Sequence, residues 1–406
     1  MKTKILLVFF SFFLTHNLFA KFSGTMHFVH LKVKNPEQRS KIANIIHIDQ
    51  VVEDSVYAVV NNEDFKVLKK EMGHLIFESH LYKIPQTKSG DEVEFPAKDE
   101  KFHTYKETIG LLDELSRTYP KISSIFNLGT SVEGRQLKGI RITGEANLNS
   151  KAFVPGIFFV GAHHAREHLS TEVPLLLLKF ILENYGKDER ITKLVNTRDI
   201  YFVPMLNPDG AMHDIKGRKY KMWRKNRVPN SRGSFGVDLN RNYSFGWGTG
   251  GSSRRETSDV YMGPKPFSEP ETIAVKKFVE EHANIRIILS FHTFSELILY
   301  PWGGKKTGVL GKDGRVFETM AQTMSKWNKY KPMQASGLYV ATGDTCDWAY
   351  GEHGIFCFTF ELTPKTRWTG GFYPGAKVIE PTFRANILPA LYLIEKAADP
   401  YGVLKK

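Results

Sequence analysis

Two histidines, two glutamates and one short polar motif are the residues of this 406-residue chain best typed for chemistry. His164 and Glu167 stand three positions apart, just after an apolar run at 157–160. His292 closes the apolar run 287–291, and Glu361 closes the run 356–360. Two imidazoles and one carboxylate are a standard ligand set for catalytic zinc, with a fourth position open to water. A carboxylate off the metal can then take a proton from that water. The chemistry these residue types fit is metal-assisted hydrolysis.

A His-x-x-Glu match alone is weak evidence, and a rival pattern overlaps it. Residues 164–168 also read H-x-x-E-H, in which both histidines bind zinc within a helix. Here the segment follows a strand and Gly161, and the rival leaves His292 and Glu361 unexplained. His163 and His168 therefore read as structural. The carboxyl ends of strands are where open α/β sheets place ligand sites. Around Glu361 the pattern has a period of two: Phe356, Phe358 and Phe360 share one face, while Cys357, Thr359 and Glu361 share the other. Partial burial there raises a carboxyl pKa, which suits a general base. Asp238 is typed to hold the far nitrogen of a zinc-bound imidazole. Asn240 and Arg241 can form a fork for a carboxylate. The sequon at Asn242 is discounted because it adjoins this motif.

These side chains need a scaffold. Apolar strands are expected at 137–143, 154–160, 200–203, 286–291 and 355–361, with helices at 171–184, 269–282, 315–329 and 381–397. A capping box of Thr104 with Glu107 opens the domain, and Ser268 with Glu271 reads as a second cap. Strands alternating with helices imply an α/β sheet covered on both faces. Residues 21–82 read as a separate small α+β unit. Its strands fall at 27–33, 56–60 and 74–80 and its helices at 36–46 and 63–72, a ferredoxin-like order with one strand hard to place. Residues 83–100 are polar and rich in proline, lysine and acidic groups, and read as an exposed linker open to proteolysis.

Composition narrows the setting. The chain is 41% hydrophobic and 24% charged, which is globular. Lys2 and Lys4 before an apolar run, with Ala20 at a cleavage position, form a signal peptide over residues 1–20 and point to a secreted or periplasmic protein. No later segment is apolar enough to span a membrane, so the mature form is expected to be soluble and monomeric. Two cysteines, Cys346 and Cys357, do not make a disulfide framework, and two free thiols are the default reading. The net charge of +13 lies mostly beyond residue 97. The basic stretch 216–232 reads as a solvated loop rather than a nucleic-acid surface.

With these residues in hand, the second domain resembles the zinc carboxypeptidases of the A/B type, most closely the bacterial carboxypeptidase T kind. The match spans about residues 102–397 and rests on the motifs around His164, Arg224, Asp238, His292, Tyr339 and Glu361, in that order. The resemblance implies a mixed central sheet with helices on both faces, with the catalytic domain at 101–406. It implies one Zn²⁺ held by His164, Glu167 and His292, with Glu361 as base and Arg224 on the oxyanion. Asn240, Arg241 and Tyr339 would clamp the terminal carboxylate of a peptide or protein substrate, and Arg166 and Phe294 would line the adjoining subsite. Ala341, Asp344, Cys346 and Thr359 would floor the pocket for the last side chain. Asp344 there implies acceptance of basic as well as hydrophobic residues. Residues 21–82 would be an inhibitory propeptide, released when an activating protease cuts the linker. An amide hydrolase of the same fold has less need of the carboxylate clamp, and a non-catalytic binding protein would not keep every ligand and the base.

Overall fold

The computed structural model describes residues 25–83, 93–148, 153–231 and 233–405. The expected signal peptide and residues 84–92 of the expected linker lie outside the described residues. Among the described residues, no helix is long and apolar enough to cross a membrane.

The first domain is a four-stranded antiparallel sheet of β1 (Met26–Lys32), β2 (Gln50–Val52), β3 (Ser55–Asn61) and β4 (Ile76–Tyr82), in the order β2-β3-β1-β4. Helices Pro36–Ala43 and Asn62–Met72 supply the rest of the β-α-β-β-α-β order. The strand that was hard to place in the sequence is β2, only three residues long. Asn35 and Asn61 cap the two helices through their side chains. Val29, Leu31, Ile42, Val56, Ala58 and Leu68 form the core.

The second domain is built on an eight-stranded mixed sheet. Its strands are β5 (Ser123–Thr130), β6 (Gln136–Ile142), β7 (Gly156–Val160), β8 (Asp199–Val203), β9 (Ile285–Thr293), β10 (Leu297–Tyr300), β11 (Lys331–Gln334) and β12 (Phe356–Leu362). The order is β11-β10-β12-β9-β7-β8-β6-β5, with the central run β12-β9-β7-β8 parallel. Alternation along the central strands divides the core between two faces. Phe159, Leu289, Phe291, Phe358 and Phe360 pack toward helices Leu169–Asn184, Gly311–Asn328 and Ile379–Lys396. Phe158, Val160, Ile288 and Cys357 pack toward helices Pro270–Glu281 and Thr345–His353. Truncating one of these buried phenylalanines to alanine costs about 3–5 kcal/mol.

Four expectations need correction. Cys346 and Cys357 are joined in a disulfide that ties helix Thr345–His353 to β12. Two cysteines eleven residues apart are brought together by the return of the helix along the strand, which composition does not reveal. The capping box of Thr104 and Glu107 is present, but Ser268 does not cap. Helix Pro270–Glu281 starts one residue later, and the Ser268 hydroxyl donates instead to the Glu269 carboxylate. The end of the expected linker is not exposed throughout: among residues 93–100, Phe95, Pro96 and Asp99 are buried, Phe95 joining the main core and Asp99 accepting from the Tyr220 hydroxyl at 2.6 Å and the Ala376 amide at 3.0 Å. The stretch 216–232 is not a solvated loop throughout, since Tyr220, Met222, Arg224, Lys225 and Asn226 are buried. Some of its cations turn inward, Lys225 Nζ donating to the Glu256 carbonyl and Arg227 stacking on Phe235, while Lys216 and Arg218 stay exposed.

Candidate active site

Three of the parallel strands deliver the reactive groups at their carboxyl ends. His164 and Glu167 sit in the turn between β7 and helix Leu169–Asn184, and His292 lies near the end of β9. Glu361 lies on β12, in register with His292 on the neighbouring strand. His164 Nδ1 is 2.8 Å from Glu167 Oε1, and His292 Nδ1 is 3.0 Å from Glu167 Oε2. Ligand atoms from all three residues lie within 4.8 Å of one another, and all three side chains are buried.

This set fits a metal cation on its own chemistry. His164 Nε2 faces Asp238 Oδ1 at 3.2 Å, and a carboxylate there requires a proton on Nε2. That leaves a lone pair on His164 Nδ1, directed at the Glu167 carboxylate and lying 3.1 Å from His292 Nδ1. Electron-rich atoms converge, and a cation between them satisfies all three. Two imidazoles and a carboxylate are the ligand types zinc takes, with the far imidazole nitrogens held as such sites hold them.

The groups around this centre are charged, buried and paired. Arg224 Nε donates to Asp238 Oδ2 at 2.9 Å, and its Nη1 lies 3.3 Å from His164 Nδ1. Burial alone would raise the Asp238 carboxyl, but Arg224 and His164 outweigh it and hold it well below the usual range. Glu167 is likewise held low against burial by His164 and His292. Glu361 differs: burial, helped by the nearby Glu167 charge, pushes it up to about 7 despite His292 and Arg224. A carboxylate poised near neutrality is matched to taking and returning a proton.

His164, Glu167, His292, Arg224 and Glu361 line one cavity of about 610 Å³. Asn240, Arg241, Tyr339, Phe294, Ala341, Asp344, Cys346 and Thr359 line it too. Arg241 Nε donates to the Gly251 carbonyl at 2.8 Å and its Nη1 to the Asn240 carbonyl at 2.7 Å. At the far end, Asp344 caps helix Thr345–His353, its Oδ1 accepting from the Cys346 and Asp347 amides. Its Oδ2 is buried with no hydrogen-bond partner among the described residues. Cys346 Sγ lies 3.5 Å from Thr359 Oγ1.

Arg166 is the exception among the expected site residues. It is wholly buried under the first domain and stacked on Phe372, with Nη2 donating to His47 Nδ1 at 3.0 Å and lying 3.5 Å from Asp49 Oδ1. Phe294 packs with Met26 and Val59 of the first domain. His168 turns away from the centre and meets Asp214 at 2.9 Å, so the H-x-x-E-H alternative fails. The Asn242 amide is consumed by the Met262 and Lys265 carbonyls, consistent with discounting its sequon.

Several residues at the site were not found from sequence. Ser290 holds His292 Nε2 at 3.0 Å. Its signal was available, since it lies two positions before His292 on the same strand face. Thr345, which bonds Asn240, and Asp347, which accepts from the Gly303 and Gly304 amides, carried no signal in their local sequence.

Comparison with known proteins agrees with this geometry. The family model described as zinc carboxypeptidase matches residues 108–388. The chain is 31% identical over 302 residues to a zinc carboxypeptidase of Saccharothrix mutabilis subsp. capreolus, covering 72% of this chain and 69% of that protein. It is 31% identical over 353 residues to carboxypeptidase A2 of Rattus norvegicus, covering 85% of this chain and 80% of the relative. The crystal structure of the carboxypeptidase A from Helicoverpa armigera shares the fold, with a TM-score of 0.75 at 24% identity over 95% of this chain and all of that one. A His–Glu–His trio that could hold a metal ion, beside a glutamate raised toward neutrality on a sheet of this order, agrees with those matches: the chain belongs to the zinc carboxypeptidase family and is a metallocarboxypeptidase.

Proposed function

We propose that the chain is a secreted carboxypeptidase, made as a zymogen, that removes single C-terminal residues of both hydrophobic and basic type. The observation that carries this reading is one cavity lined by the His164–Glu167–His292 trio, Glu361, Arg224, Asn240 and Arg241. A metal, a base, an oxyanion partner and a carboxylate fork in one cleft suit hydrolysis next to a chain end.

His164, Glu167 and His292 would hold the zinc. When bound, it supplies a Lewis acid and lowers the pKa of water. Glu361 takes the proton of the attacking water and returns it to the leaving amine. Its pKa near 7 makes both transfers accessible. Arg224, fixed by Asp238, offers its guanidinium to the oxygen of the tetrahedral intermediate. Asn240, Arg241 and Tyr339 bind the terminal carboxylate, which restricts cutting to the last bond. The partnerless Asp344 Oδ2 supports acceptance of a cationic last residue, while the alkyl and ring surfaces around it support apolar ones.

The contacts of residues 25–83 support the zymogen reading. His47, Asp49, Gln50 and Val52 line the same cavity as the trio. Arg255 Nη2 pairs with Asp64 at 2.6 Å, and Gly251 N donates to Asn44 Oδ1 at 2.6 Å. Docked in this way, the first domain blocks the cleft until the linker is cut. The test is release of a free amino acid from a blocked dipeptide, abolished by a zinc chelator, absent in the uncut chain and gained on limited proteolysis. Full activity of Glu361→Gln would remove the assignment of the base.

A further inference from the structure

His163 stands beside the metal trio but outside it, and its two ring nitrogens face opposite ends of the cleft machinery. It is fully buried in the turn after β7. On one side, its Nδ1 is 3.4 Å from Ser290 Oγ, and Ser290 Oγ is 3.0 Å from His292 Nε2. On the other side, its Nε2 is 2.9 Å from Thr345 Oγ1 and 2.9 Å from the Tyr243 hydroxyl. Thr345 in turn gives Asn240 Oδ1 two hydrogen bonds, one from its hydroxyl and one from its amide, each 2.9 Å. Five side chains thus form one buried path from a metal ligand to a residue of the carboxylate fork.

We propose that His163 is a positioning residue that couples metal occupancy to the orientation of the carboxylate fork. The inference rests on the zinc and Asn240 roles proposed above. Donor counting gives the path a direction. A cation on His292 Nδ1 leaves the ring proton on Nε2, which donates to Ser290 Oγ. The Ser290 hydroxyl proton then goes to His163 Nδ1. His163 keeps its proton on Nε2 and donates it to Thr345 Oγ1, with the Tyr243 hydroxyl sharing that edge. The Thr345 hydroxyl proton goes to Asn240 Oδ1. The Asn240 amide N–H groups are left to face the cavity as donors, which is what a carboxylate needs. Each proton is used once, and reversing the chain would put a proton on His292 Nδ1, where the metal binds. Hydrogen bonds in such a buried path polarise one another, so a change at one end is felt at the other.

The experiment is nitrogen NMR of the full chain labelled with ¹⁵N-histidine, with and without Zn²⁺, using His163→Gln to assign the resonance. We expect the loaded protein to show His163 as the Nε2–H tautomer, with both ring nitrogens shifting on zinc removal. In Ser290→Ala that response is lost, and zinc affinity in competition with a chromogenic chelator falls about tenfold, the scale for losing a partner of a ligating imidazole. An Nδ1–H tautomer in the loaded chain overturns the proposal. So does a His163 zinc response left intact in Ser290→Ala, or unchanged zinc affinity in both Ser290→Ala and His163→Gln. As a further readout, Thr345→Val in the activated enzyme should raise KM for a blocked dipeptide more than it lowers kcat, and the reverse split also overturns it. If the unsubstituted enzyme released no C-terminal residue, the proposed function would fail while the tautomer result stood.

Discussion

The two ends of the cleft are built on opposite electrostatic plans. At the metal end, charges are answered within the chain: Asp238 meets Arg224 and His164, and Glu167 meets both imidazoles. At the pocket end, burial pushes carboxyls toward the neutral form. Asp344 is raised above the usual carboxylate range by burial and keeps one buried oxygen without a hydrogen-bond partner among the described residues, and Asp347 is pushed up to about 8 by burial and by the Asp344 charge. The first arrangement presets a geometry for chemistry. On the specificity proposed above, a cationic substrate side chain would draw the second into its charged form. Catalytic power and selectivity are therefore separable in this cleft, and substitutions should divide accordingly.

The largest effect is expected at the metal end. Glu361→Gln should lower kcat for all substrates alike, by about 10²–10⁴-fold, the range for a lost general base. The same residue sets the pH profile. Its raised pKa means it must lose a proton to act, so kcat/KM should rise with pH along an acid limb. The midpoint lies at or below about 7, because a bound cation favours the ionised form. An acid limb above pH 8 would contradict the assignment. Next in size is the disulfide: Cys346→Ala with Cys357→Ala should cost about 3 kcal/mol of stability, read from chemical denaturation. Because the bridge holds the pocket helix against β12, the reshaped pocket should also alter selectivity more than kcat.

Asp344→Asn should then lower kcat/KM for C-terminal Lys or Arg by about 10–100-fold, about 1.4–2.7 kcal/mol, and leave Phe nearly unchanged. An equal loss on both substrate classes would erase the contrast between the ends. For the native enzyme, preferences between Arg and Phe above about a thousandfold would also refute broad acceptance. The smallest effect belongs to the rim. Arg255→Ala removes the part-exposed partner of the buried Asp64 and should loosen the first domain by about 1 kcal/mol, seen as faster activation by limited proteolysis.

The metal end was the more legible in the sequence. His164 and Glu167 follow an apolar run and His292 closes one, so strand-end placement separates them from the rival pairing with His168. The sheet was legible where strands are long and buried, as for β7, β9 and β12. It failed for β10 and β11, which are four residues each, and for β5, whose residues are mostly half-buried and do not alternate cleanly. The pocket end was harder. The disulfide, the partnerless Asp344 oxygen and the Thr345 contact all depend on how one helix lies against β12. The polar stretch ending near residue 100 misled for a related reason. Asp99 is buried because Tyr220 and Ala376, far away in sequence, supply its donors.

Tyr339 serves two masters. It packs against the core of the first domain, yet it lines the same cavity as the His164–Glu167–His292 trio, beside His47 and Asp49 of that domain. On the zymogen reading proposed above, ligand and first domain would compete for this surface, and occupancy by one would be antagonism toward the other. By thermodynamic reciprocity, a peptide that fills the cleft must weaken docking by the same factor that docking weakens the peptide. Product or substrate accumulating after the linker is cut would thus speed departure of the first domain, making activation self-reinforcing rather than a simple one-step release.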